Sequence, residues 1–155
     1  MRETQLVLVP LRDGVLYGIY QDFYLVYANK VSQKTLDALI EIWNSVQQSY
    51  RIKSIFYARG PGSLSAIKLL HIFVHTLKIV SDLDVFACDS FYFNQSGAIF
   101  AFGNQYFIQS DDGVILESSE KIEKSLLKND FCLPDKLIPQ DFDKETQPLY
   151  VVPPV

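Results

Sequence analysis

The first 28 residues carry three apolar runs separated by polar turns. QLVLVPL (residues 5–11) ends at Arg12-Asp13-Gly14, VLYGIY (15–20) ends at Gln21-Asp22, and FYLVYA (23–28) follows. Turns this short impose antiparallel pairing, so the pattern predicts a three-stranded meander. The period then changes. Leu36, Leu39, Ile40, Trp43 and Val46 recur at the spacing of one helical face, which predicts a helix capped by Ser32 and running to residue 50. SIFYA (54–58) reads as a fourth strand, Gly60-Pro61-Gly62-Ser63 as a turn, residues 64–80 as a second helix and DVFAC (84–88) as a fifth strand. Strand, helix and strand at these lengths make a right-handed parallel crossover.

The order β-β-β-α-β-α-β is that of the ribonuclease-H-like half-domain found in the actin/Hsp70/sugar-kinase superfamily, an α/β fold whose presence carries no function by itself. Beyond it the pattern thins. GAIFAFG, QYFIQS and GVILES read as three short strands around Gly-Asn and Asp-Asp-Gly turns, and KIEKSLL as one or two helical turns. Residues 134–148 read as polar loop, and PLYVVPPV as a closing strand stopped by Pro-Pro. The expected organisation is an α/β lobe over residues 1–93 and a shortened second lobe over 94–155.

Composition narrows the classes of function. A chain of 155 residues with 48% hydrophobic and 21% charged residues is globular, and its aromatics, eleven Phe and nine Tyr, suit sheets and broad contact surfaces. Net charge is −4 and no block of Lys or Arg exceeds two neighbours, which disfavours direct binding to a nucleic-acid backbone. Cys88 and Cys132 form no CxxC pair and fit a reduced compartment. The apolar run near the N-terminus is too short for a signal peptide or a membrane span. A cytoplasmic protein without a membrane partner is expected.

The candidate chemistry centres on residues 57–80. A strand-to-helix turn offering backbone amides at a helix N-terminus can hold an anion, with Ser63, Ser65 and Lys68 as added donors. The same residues serve equally as a tight reversal and a helix cap. Formal nucleotide motifs fail: no Gly-Lys follows Gly60 at the Walker spacing, and Ser65 stands where the third glycine of GxGxxG belongs. His71 and His75 have the i, i+4 spacing of a zinc pair, but the stretch reads HIFVH without the glutamate, and Lys68 and Lys78 flank the pair on one strip. No metal is expected there. Nor is there a catalytic constellation. The first strand has no carboxylate to hold a metal-nucleotide, and Asp82, Asp84 and Asp89 read as strand-end residues. The second helix, however, is apolar around most of its circumference, more than one sheet contact requires. Either the two helices bury each other or they jointly face a partner.

Gly60-Pro61-Gly62-Ser63-Leu64-Ser65-Ala66-Ile67-Lys68 resembles the G-P-G-S-F-T-G-L-R signature of the TsaB (YeaZ) family. That family is the non-catalytic subunit of the bacterial machinery that makes N6-threonylcarbamoyladenosine in tRNA. Pro148-Leu149-Tyr150-Val151 is similar to its closing P-x-Y-L, whereas the D-T-S of its first strand and the H-S-E opening its first helix are missing. The resemblance implies a scaffold with no catalytic residue and no cofactor of its own. Such a scaffold binds and activates a TsaD-type catalytic subunit with help from a TsaE-type ATPase, meets tRNA only through the complex, and forms a homodimer in isolation. It implies an interface over Leu36, Leu39, Ile40, Trp43, Ile67, Leu70, Phe73, Val74 and Leu77. ATP or ADP at the interface of the complex would come near Gly60, Gly62, Ser63, Ser65 and Lys68. Two rivals remain: a small ATP-binding domain with its own phosphotransfer or ATPase activity, and a glycopeptidase-like metal hydrolase.

Overall fold

The computed structural model describes residues 3–94, 96–111, 113–128, 130–143 and 148–149. The three N-terminal runs form β1 (Thr4–Leu11), β2 (Gly14–Gln21) and β3 (Tyr24–Val31), followed by α1 (Thr35–Ser49), β4 (Ile52–Ala58), α2 (Leu64–Ser81) and β5 (Asp84–Cys88). They make one five-stranded mixed sheet in the order β3-β2-β1-β4-β5. β1, β2 and β3 pair antiparallel, while β4 runs parallel to both β1 and β5. A separate antiparallel sheet comprises β6 (Ala98–Phe102), β7 (Gln105–Ser110) and β8 (Gly113–Ser118), and the KIEKSLL stretch forms short 3₁₀ turns. The closing strand expected for PLYVVPPV lies outside the described residues beyond Leu149.

Alternation along β1 explains the two-sided core. Leu6 and Leu8 point to the helices, where they meet Leu39, Ile42 and Val46 of α1 and Leu70, Val74 and Leu77 of α2. Val7 and Val9 point to the opposite face, which joins Tyr20, Phe56, Cys88 and Phe93 to Leu133, Leu137 and Phe142. Cover for this second face of the sheet comes from Leu133 and from the segment read as polar loop, through Leu137 and Phe142. Its few apolar residues are interrupted by Pro134 and Pro139 and set up no sustained helical or strand period. Backbone bonds hold it in place: Leu137 N–H donates to the Phe23 carbonyl at 2.7 Å, and Leu25 N–H to the Asp135 carbonyl at 2.8 Å.

Two local expectations are corrected. The β2–β3 turn is Asp22-Phe23, both at positive φ (51° and 68°), rather than Gln21-Asp22. A two-residue hairpin of this hand needs positive φ at both positions, and an aromatic residue there requires support. Gln5, fully buried on β1, provides it: its Oε1 accepts from the Phe23 N–H at 3.0 Å. The Phe23 ring also meets Phe56 edge-on at 6.4 Å. The cap of α1 is likewise displaced. β3 continues to Val31, so the helix begins after Lys34, whose side chain makes no capping bond, and Ser32 stays outside it.

Candidate functional site

The Gly60–Ser63 turn leaves β4 at the carboxyl end of the parallel strands. Ser63 caps α2, its Oγ accepting from the Ala66 N–H at 3.5 Å and lying 3.2 Å from Ser65 Oγ. These two serines line a depression of about 540 Å³ together with Arg12, Ser32, Lys34, Thr35 and Leu69, at the N-termini of both helices. Gly60, Gly62 and Lys68 are not part of its wall. Gly60 instead faces Leu149 and Ile67. Of the five residues expected near a nucleotide, Ser63 and Ser65 share this depression with Arg12, Asp13 and Lys34, while Gly62 meets Ser63 and Arg12 in a smaller neighbouring pocket.

A second cleft of about 450 Å³ opens at the ends of β4 and β5, lined by Arg59, Cys88, Asp89, Tyr92, Asp141 and Asp143 among others. Arg59 Nε lies 3.1 Å from Asp89 Oδ1. Burial, and then the Asp141 carboxylate that accepts the Tyr92 hydroxyl, push the Tyr92 pKa up to about 12. Three carboxylates against one paired guanidinium repel phosphate. Asp82 and Asp84 are exposed at the opposite end of β5, Asp82 closing α2 in the left-handed region and lining a depression of about 690 Å³ with Glu3, Arg51 and Lys53.

His71 and His75 are half-buried on α2, ring centroids 4.3 Å apart, with His71 Nδ1 3.3 Å from the Tyr57 hydroxyl. Burial, then His71 and Lys78, lowers the pKa of His75. Among the described residues no group of three or more His, Cys, Asp or Glu side chains is arranged to hold a metal.

Among the described residues the helices expose Leu36, Ile40, Leu64, Ile72, Ile79 and Val80, and β3 exposes Tyr24, Val26 and Tyr27. Leu39, Ile67, Leu70, Val74 and Leu77, expected at the partner interface, lie in the core, none more than 9% exposed. Leu36 and Ile40 are exposed, and Trp43 and Phe73 are half-buried against the core. At steps of about 100° per residue, Leu36, Ile40 and Trp43 occupy one flank of α1, opposite Glu41. Lys34 and Thr35, where α1 begins, share a depression with Ser65 and Leu69 of α2, so the two helices adjoin at this end. Leu69, Phe73 and Val80 share the flank of α2 that borders the start of α1. Ile72 and Ile79 crown that helix, Ile79 at 84% exposure and Val80 at 75%. The result is an apolar crest along the α1–α2 seam. By length and composition α2 also passes for a bilayer-spanning helix, although its inner face is built into the core.

No protein-family model matches this chain, and no curated protein is significantly similar to it. Solved structures with the same fold exist. YeaZ from Pseudomonas aeruginosa superposes with a TM-score of 0.59 at 11% identity, over 78% of this chain and 69% of YeaZ. An uncharacterized protein described as similar to peptidase YEAZ from Pseudomonas aeruginosa superposes with a TM-score of 0.50 at 13% identity, over 75% of this chain and 64% of that one.

Proposed function

We propose that this chain is a TsaB-like scaffold that docks a TsaD-type catalytic subunit through the α1–α2 crest and holds it in its active shape for N6-threonylcarbamoyladenosine modification of tRNA. The single observation that carries the reading is the crest itself, an apolar surface left uncovered on a YeaZ-like fold. The strand order β3-β2-β1-β4-β5, with an antiparallel meander feeding parallel strands, supports a ribonuclease-H-like half-domain over residues 1–93, with residues 94–155 as the reduced second lobe. The scaffold is not an enzyme. A TsaE-type ATPase and tRNA meet it through the complex, ATP or ADP sits at the interface near Ser63 and Ser65, and in the absence of the partner the crest pairs with a second copy. The site of action is the cytoplasm. Lys68, Lys78 and two imidazoles along one flank of α2 favour a protein partner over a bilayer for this helix.

The core positions of α2 support the crest from beneath, so only exposed positions test docking cleanly. In size-exclusion chromatography with light scattering, the wild type mixed with the TsaD-type subunit of the same organism should give a complex. Ile40→Glu and Ile72→Glu should abolish it while changing stability by only about 0.5 kcal/mol, as surface substitutions do. Leu70→Glu should unfold the chain instead, because Leu70 is 1% exposed. Absence of a wild-type complex at low and moderate salt, with and without ATP, would refute the reading.

A further inference from the structure

We propose that the closing segment at Pro148-Leu149 is a strap that sets the first turn of α2. Leu149 N–H donates to the carbonyl of Arg59, one residue beyond β4, at 2.8 Å. Gly60 lies against it at φ +120°, where a Cβ would stand 2.5 Å from the Leu149 carbonyl oxygen and 2.9 Å from Ile67 Cδ1. Strap backbone, bare glycine Cα and Ile67 side chain are therefore stacked with no room for a methyl group. Ile67 is buried and belongs to the opening turn of α2, its N–H donating to the Ser63 carbonyl at 2.9 Å. From the other side Ser90 N–H donates to the Gly60 carbonyl at 2.8 Å, so the turn is gripped twice.

The same end of the chain is anchored upstream. Asp143 and Ala87 exchange both backbone hydrogen bonds at 2.8 Å, and Phe142 packs edge-on against Phe56 at 4.9 Å. Phe142 thus belongs to the second core cluster, while Leu149 touches the root of the helix packed on the opposite face of the sheet. Leverage makes this contact matter. A helix of α2's length spans roughly 27 Å, so a pivot of about 5° at its root carries the far end about 2 Å. Ile79 and Val80 stand at that far end. The consequence for docking rests on the scaffold reading above, whereas the coupling of Leu149 to the first turn of α2 does not.

Hydrogen–deuterium exchange on two full-length variants tests the strap. Leu149→Pro deletes the N–H donor, and Leu149→Ala keeps it while removing the side chain. Leu149→Pro should speed exchange of the Ala66–Lys68 amides by about tenfold and leave β1 and β4 at wild-type rates, the pattern of a local opening. Leu149→Ala should match the wild type. Unchanged Ala66–Lys68 exchange in Leu149→Pro would overturn the proposal, as would equal acceleration in both variants or acceleration that spreads to β1 and β4. In the light-scattering assay Leu149→Pro should weaken the complex with the catalytic subunit by about tenfold. Should the wild type form no complex, the docking reading fails while the exchange result still decides the strap.

Discussion

At the scale of single residues, two positions show what local chemistry demands. Gly60 is held at φ +120° with the Leu149 carbonyl where a side chain would begin, so Gly60→Ala combines backbone strain with a collision. Strain of this kind alone costs about 1–3 kcal/mol, and urea unfolding should show at least that loss. His75 makes a prediction about pH. Its pKa is lowered in the folded protein from an ordinary value of 6.5, so just below that pH the unfolded chain binds more protons than the folded one. The stability tied to a neutral His75 is therefore fully present above pH 6.5 and is lost as pH falls through the folded-state pKa. Urea midpoints at pH 7.5 and pH 5 should fall less in His75→Gln than in the wild type. An identical decline would show that His75 contributes nothing to it.

At the scale of elements, legibility followed periodicity. Strands β6, β7 and β8, both helices and β5 stand within a residue or two of their sequence pattern, because alternation and helical spacing are written directly in residue type. The hairpin turn moved by one residue because its conformation depends on Gln5, a contact across the sheet that no local rule contains. The interface residues divided for a similar reason. Spacing locates a helix's apolar residues but not which of them a neighbouring helix will bury, so Leu36 and Ile40 stayed outside while Leu39 and Leu70 went into the core. Least legible was the segment around Leu133 and Leu137. Leu137 is completely buried, so Leu137→Ala should cost about 2–5 kcal/mol in urea unfolding, as core truncations do. A loss near zero would mean that this segment is a dispensable loop.

At the scale of the whole molecule, the question is whether the chain acts alone. The rival reading, a domain with its own ATPase or phosphotransfer chemistry, requires phosphate and magnesium to be held by the carboxyl ends of the parallel strands. One cleft there is lined by Asp89, Asp141 and Asp143, while the depression beside Ser63 and Ser65 offers Arg12 and Lys34 with a single carboxylate, Asp13, which is already paired with Lys30 at 2.8 Å. Calorimetric titration of the isolated chain with Mg-ATP should therefore show no saturable binding up to about millimolar concentration, a range in which association is worth only about 4 kcal/mol. Saturation at micromolar ATP would favour the rival. The crest and the depression lie close together along α1 and α2, so a partner seated on the first would border the second.

The second core cluster also dictates when this protein can become itself. Val7, Val9 and Phe56 leave the ribosome well before Leu133, Leu137 and Phe142, which cover them. At about 5–20 residues per second, the sheet must wait several seconds of synthesis with one face uncovered. The nascent chain is then a half-dressed sheet, a natural client for ribosome-associated chaperones. A premature stop before residue 131 should yield an aggregating fragment rather than a smaller working protein.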